Sequence, residues 1–516
     1  MELSLIRDRL SYAENVFSET HTTEETMEMI VPDAMPDIQH IVGADAMVFV
    51  RSKDTSPERV TISGVAMVSV IYTPDGEGCL RRVKLELPFQ ITAGSPHITP
   101  SCSATVRLIP GTASAMALNP RKLSARVNIT AEISCYNNTE LEIPTAIAPA
   151  QNAAPEHSGI EVLPGEIEVS LPVEVLEKTF VANYEYQIPP SNPPVGELLR
   201  TSVSLSPDEV KIVGSKLIFK GSTTVSILYS GADSGEITAC SYDTEYSQIL
   251  ELESANADSE FDIIPLLTGA YIESDSTSGS DGRRLSAELH IAAQCVARSR
   301  KKLGYISDAY SSRYELEAVQ GNLTLSGAPV ARSVPAVLRT TLEAPELSRV
   351  ISVAAKPGLP GGSMADGELR LTAPVEVEAL YIANDGTVRT AAGRFSVEAT
   401  IVDVVSEAGL KTSAKNSGEV YGAVADGGIE VRVPIEITAY ETTKRVYTHI
   451  AEITLDEEAP LDHPKLPSLV IARISQGDSM WTLAKRHHST CELISRANEL
   501  EEGAELPNVL VIPKKR

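Results

Sequence analysis

Gly64-Val-Ala-Met-Val-Ser-Val-Ile-Tyr72 recurs as Gly221-Ser-Thr-Thr-Val-Ser-Ile-Leu-Tyr229 and again as Ala373-Pro-Val-Glu-Val-Glu-Ala-Leu-Tyr381. The closing tyrosines stand 157 residues apart (72 to 229) and then 152 (229 to 381), which implies three related domains. Gly-containing turns follow the copies, as in Pro74-Asp-Gly76 and Asn384-Asp-Gly386, and these are hairpin signals. Around them polar and apolar residues alternate with period two, as in Ala125-Arg-Val-Asn-Ile-Thr-Ala-Glu-Ile133 and Ile429-Glu-Val-Arg-Val-Pro-Ile-Glu-Ile437. Such alternation marks half-buried antiparallel strands. Shorter matches point the same way: Leu199-Arg-Thr201 with Leu338-Arg-Thr340, Leu123-Ser-Ala125 with Leu285-Ser-Ala287, and Tyr184-Glu185 with Tyr314-Glu315. The expected fold is mainly β, with three tandem antiparallel β-sandwich-like repeats. Aromatic residues make up only 5% of the chain, so the cores must be filled by Val, Ile, Leu and Ala.

At 516 residues the chain is too long for one core. Its net charge is −26, while the last 47 residues carry seven Lys/Arg against six Asp/Glu, so the whole acidic surplus belongs to the body. A body of that sign repels nucleic acid and anionic lipid. Met1 to Phe17 has no signal-peptide pattern, and no apolar run approaches the roughly 20 residues needed to span a bilayer. A cytoplasmic protein is expected. The six cysteines are scattered without Cys-x-x-Cys spacing and are read as free thiols.

Catalytic patterns are missing. There is neither a phosphate-cradling Gly-x-x-x-x-Gly-Lys-(Ser/Thr) run nor a Gly-x-Ser-x-Gly elbow, and Gly361-Gly-Ser-Met-Ala365 fails at its last position. His487 and His488 are helical neighbours that point about 100° apart, a poor metal pair. Asp33 and Asp37 each follow a proline and read as turn residues rather than paired catalytic acids. The expectation is a non-enzyme without cofactor or metal.

The C-terminal stretch reads as a small β-α-α-β module. Val470 to Ile474 is a β-branched run ending at Ser475-Gln-Gly477, where glycine supplies a positive φ. Asp478 is the expected N-cap, and Met480, Leu483, Ala484 and His487 share one helical face. Ser489-Thr-Cys-Glu492 fits a capping box, with Cys491, Ile494 and Ala497 as the stripe of a second helix stopping near Asn498 in the left-handed region. Val509 to Ile512 closes the unit as a strand.

This module resembles a LysM domain through Gly477, Asp478, Ser479, Met480, Trp481, Leu483, Ala484, Asn498, Leu500, Leu510, Ile512 and Pro513, with Met480 in place of leucine and Pro507 in place of glycine. The resemblance implies a groove formed by Gly477, Asp478, Ser479 and Met480 on one side and Asn498, Glu499 and Leu500 on the other. It also implies a core of Trp481, Leu483, Ile494 and Ile512. The lone indole is read as core. LysM grooves hold N-acetylglucosamine polymers, but a single copy suits weak, positioning contacts.

With the repeats, the chain resembles the SPOCS (DUF3794) family and, in overall order, the SipL-type morphogenetic proteins of clostridial spore formers. Val31 to Ile41, the Val68 to Tyr72 strand and its copies, Asp308-Ala-Tyr310 and Tyr314-Glu-Leu316 carry this likeness. The implied organisation is an N-terminal segment with the first SPOCS repeat over 1–190, a second over 191–330, and a third over 331–455. An extended linker over 456–468 and the LysM domain over 469–516 complete it. The third repeat is expected to add a Gly/Pro-rich loop at Ser348 to Gly367. The implied role is a spore-coat scaffold in the mother cell at the forespore surface, docking a coat-assembly protein through the tail. Peptidoglycan binding in cortex or wall is the alternative. Self-association through exposed strand edges is a third reading, which the sequence leaves open.

Overall fold

The structure, a computed structural model, describes residues 2–76, 79–148, 159–275, 281–327, 329–404, 409–461, 468–501 and 506–514. The first part of the chain holds β1 (Glu2–Leu3), β2 (Leu5–Ile30), β3 (Ile38–Ser56), β4 (Arg59–Pro74), β5 (Arg81–Gly94), β6 (Ser103–Asn119) and β7 (Lys122–Ile147). Next come β8 (Ile160–Gln187), β9 (Val195–Val213), β10 (Lys216–Gly231), β11 (Ile237–Glu251), β12 (Glu260–Ser274) and β13 (Arg284–Ser311). Then follow β14 (Tyr314–Ser326), β15 (Val330–Leu342), β16 (Leu347–Pro357), β17 (Gly361–Ala365), β18 (Glu368–Ala383), β19 (Val388–Ile401), β20 (Lys411–Asn416), β21 (Tyr421–Ala425), β22 (Gly428–Glu441) and β23 (Lys444–Pro460). The protein is mainly β, and the described pairings are antiparallel.

One topology is used three times. In each unit the second, third and fourth strands form one sheet: β3-β4-β5, β9-β10-β11, and β16 and β17 with β18 and β19. The first, last and fifth form the other: β2-β7-β6, β8-β13-β12, and β15-β22-β20 with β21 on β22. In the first unit both sheets close on a single apolar core of Val, Ile, Leu and Ala with few aromatics. The tyrosine ending each repeated stretch is buried, and its hydroxyl donates to a proline carbonyl 36 residues upstream: Tyr72 to Pro36 at 3.2 Å, Tyr229 to Pro193 at 3.0 Å and Tyr381 to Pro345 at 3.3 Å. A buried phenol needs such a partner, and the same one is supplied each time.

The strand pairing redraws the expected boundaries. Ile160–Gln187, assigned to the first repeat, pairs along its length with Arg284–Ser311 and is the opening strand of the second unit. Tyr314–Ser326, assigned to the second, pairs with β23 and opens the third. The short matches Leu199/Leu338 and Tyr184/Tyr314 were misleading: Leu199 lies on a second strand and Leu338 on a first, while Tyr184 stands near the end of a first strand and Tyr314 at the start of one. Only Leu123/Leu285 holds the same place, at the start of the last strand. Alternation shows that a segment is a strand but not which distant strand it pairs with. Most of the expected loop Ser348 to Gly367 is also strand, up to a turn at Asp366-Gly367. β3 and β9 run unbroken for 19 residues each, and β16 and β17 cover the same span on β18, interrupted at Gly358-Leu-Pro360, where proline offers no N–H to the ladder. Of the expected linker, Asp456 to Pro460 continue β23, and 462–467 lie outside the described residues.

At their ends the repeated strands lose their alternation. Val68 to Tyr72 are all buried, because Tyr72 faces its own core while Ile71 points out of the unit into a second apolar cluster. That cluster takes equivalent residues from all three units: Val42, Leu199 and Ile351; Ile71, Leu228 and Leu380; Leu80, Ile237 and Val388. The units therefore wind about a pseudo-threefold apolar axis. Beyond the sheets, the far halves of the first and last strands form a stem. Leu3, Ile160, Ile306, Ala309, Ile450 and Ile453 share one cluster there, and Leu10, Ile167, Leu303 and Leu325 another. Between the first two units, Gln294 acts as a buried peptide mimic, donating to Val106 O and accepting from Val106 N, both at 2.8 Å.

Gly64 and Gly221 occupy equivalent places where a Cβ would overlap a strand carbonyl and a ring, Phe89 in the first unit and Tyr246 in the second; the third unit has Ala373 there. Gly64→Ala and Gly221→Ala are therefore expected to destabilise by about 1–3 kcal/mol through overpacking. Ala373→Gly should cost only about 0.5–1 kcal/mol. Thermal melting of the three variants checks the order, and equal losses would contradict it.

Candidate functional site

The chain's one tryptophan shows how the C-terminal module is seated. β24 (Leu469–Arg473) and β25 (Val509–Pro513) pair antiparallel around α1 (Met480–His487) and α2 (Cys491–Ala497). Leu483, Ala484, Ile494, Leu510 and Ile512 are fully enclosed in a small core that also takes in Tyr310 of β13, whereas Trp481 is only half-buried. Its indole Nε1 leaves the module and donates to Asp308 Oδ2 on β13 at 2.7 Å. The ring meets Tyr310 edge-on, with centroids 4.9 Å apart. One turn along α1, Lys485 Nζ reaches both Asp308 oxygens at 2.6 and 2.8 Å, and the Tyr310 hydroxyl donates to Ser489 O at 2.8 Å. Trp481 is thus a contact between tail and stem rather than a purely internal core residue.

Asp308 is held as a carboxylate. Burial pushes its pKa up, but the bonds from Lys485 and Trp481 and the charge of Lys485 outweigh that and hold it below the ordinary range. Burial pushes the Tyr310 phenol upward, as does the nearby Glu161 charge, so it remains a donor.

The seven groove residues are largely engaged in holding the module together. Gly477 is exposed with φ +93, the left-handed turn that glycine permits. Asp478 is not the N-cap: its carboxylate accepts from Ser475 N at 2.9 Å and from Arg486 at 2.7 Å, and Ser479 caps α1 in a capping box with Thr482. Met480 and Leu500 pack on the module core. The Asn498 side chain binds Ile494 O, Val511 O and Val511 N, fastening α2 to β25. Glu499, exposed at φ +52, takes the left-handed position expected of Asn498, whose φ is −110. The second cap is Thr490 rather than Ser489, which bonds to the Pro513 carbonyl instead, and Ala497 of the expected stripe is exposed. The two cap residues adjoin other capable side chains, so local rules place a cap only to within a residue.

The other candidates resolve into structure. Asp33 and Asp37 both pair with Arg121, at 3.1 and 3.0 Å, while the same guanidinium binds the Val31 and Met35 carbonyls. Arg283 does the same for Pro189 and Asn192 in the second unit. His488 closes α1 in the left-handed conformation, and burial and neighbouring cations depress His487. All six cysteines are free, and burial pushes Cys135 and Cys295 up to about 12, which disfavours the thiolate. Among the described residues no helix is long and apolar enough to cross a membrane.

Against known families, residues 194–269 match the model described as SipL, SPOCS domain, a stretch running from β9 into β12 of the second unit. That stretch is therefore similar to a SPOCS domain of the SipL type. Comparison with curated proteins and with solved structures gives no match.

Asp308→Asn is expected to change the emission of Trp481, the only tryptophan, while the melting of the β body is unchanged. In the unaltered protein the same change should appear only in acid. The folded pKa lies below the unfolded value of about 3.9, so the contact is fully formed above that value and is lost as pH falls through the depressed one. Fluorescence from pH 7 downward, with circular dichroism as the control for the body, measures both.

Proposed function

We propose that this protein is a non-enzymatic scaffold of spore-envelope assembly. Its three units act as SPOCS repeats of the sandwich type, and its tail acts as a LysM-type module docking a coat-assembly protein at the forespore surface, in the mother-cell cytoplasm. The observation that carries this is the SPOCS match at residues 194–269 in a unit whose strand order recurs on either side of it. Three units sharing one axis make a rigid body suited to presenting several surfaces at once. The exposed rim of Gly477, Ser479 and Glu499 is left for a partner.

A fluorescent fusion of the full chain is expected to form a ring around the forespore during sporulation, and truncation after Pro460 should disperse it. Glu499→Arg, on the exposed rim, should weaken capture of the coat-assembly partner several-fold without altering the melting curve. Competition by N-acetylglucosamine oligomers or muropeptides at low concentration would instead favour glycan binding, and diffuse fluorescence from both fusions would defeat the scaffold reading.

A further inference from the structure

The contact between tail and stem is built from directed groups. An indole N–H and an ammonium converge on one carboxylate, a tyrosine ring abuts the indole edge-on, and its hydroxyl caps a carbonyl at the end of α1. Asp308 and Tyr310 stand two residues apart on an extended strand, the spacing that puts both side chains on one face. Tyr310 is itself buried in the apolar cluster of Leu483, Ala484, Ile494, Leu510 and Ile512, so the seat covers one side of the module's interior. An aromatic ring that takes the place of Tyr310 would keep that side covered.

We infer that the Trp481 and Lys485 face of α1 is a recognition surface for an extended segment bearing a carboxylate and an aromatic ring two residues apart. Asp308 and Tyr310 are its resident occupant, holding the tail closed until a partner segment of that chemistry displaces them. The carboxylate satisfies both donors at once, through charge-assisted bonds. The aromatic ring covers the indole edge-on. Because the resident segment belongs to the same chain, its effective concentration is high, of the order of millimolar for a short tether. A competing segment must therefore bind an emptied surface far better than an occupied one. This surface is separate from the rim residues Gly477, Ser479 and Glu499, so it goes beyond the docking proposed above.

The probe is a fluorescein-labelled peptide copying residues 305–314, titrated into the full chain and into the full chain carrying Asp308→Ser and Tyr310→Ser. Anisotropy is expected to show binding to the substituted chain at least ten-fold tighter than to the unaltered one. Replacing the peptide's aspartate by asparagine, or adding Lys485→Gln to the chain, should reverse that gain. Should the double variant not fold, the isosteric Asp308→Asn chain is expected to give the same order with a smaller gain. Equal binding to occupied and emptied chains, or none to either, overturns the inference. Either failure would leave forespore localisation untouched and so would not be confused with failure of the scaffold role.

Discussion

The apolar axis shared by Val42, Leu199 and Ile351 with Ile71, Leu228 and Leu380 is the constraint on which the rest of the architecture depends. A two-layered β unit normally buries one face of each sheet and leaves the other wet. Here the ends of β4, β10 and β18 are covered on both sides, once by their own core and once by the two neighbouring units. Each fully buried aliphatic side chain contributes about 1.5–3 kcal/mol by leaving water, and the axis collects these from three places more than 100 residues apart. Polar groups then fix how the units meet around it. Arg200 pairs with Glu378 at 2.6 Å, Arg81 with Glu197 at 3.0 Å, and Arg349 with Glu236 at 3.2 Å, each joining two units. Gln294 closes the free edge of β6 as another strand would.

The stem carries that order to the tail. β13 runs from the second unit's core through the stem and ends at Asp308 and Tyr310, where Trp481 and Lys485 attach. One strand thus links the SPOCS-matched unit to the C-terminal module, and the direction in which that module presents its rim is set by the body. Contacts presented on a rigid frame lose less entropy on binding than contacts on a free tether.

Much of the plan was legible along the chain. Repeated strands ending in tyrosine, glycine at hairpin turns and the β-α-α-β order of the tail all follow from periods and turn chemistry acting within a few residues. Illegible were the relations between distant segments. Leu338-Arg-Thr340 looks like a copy of Leu199-Arg-Thr201 yet lies on a different strand, and Gly358-Leu-Pro360 looked like an inserted loop yet only interrupts a strand. At the tail, Trp481 was read as core because a lone indole in a small module usually is. Its partner, Asp308, lies 173 residues away on another element, and no local pattern could have joined the two.

By itself the sequence determined the local pattern: that the repeated stretches are strands, that they end in glycine turns, and that the chain is mainly β, since alternation, glycine and proline act on the backbone locally. Only the tertiary structure decided the partners: which first strand pairs with which last strand, that Ile71, Leu228 and Leu380 face one another across an axis, and that the tail rests on Asp308 and Tyr310. These depend on burying apolar surface and satisfying buried polar groups between residues far apart in the chain. That free energy exists only once the segments are packed together.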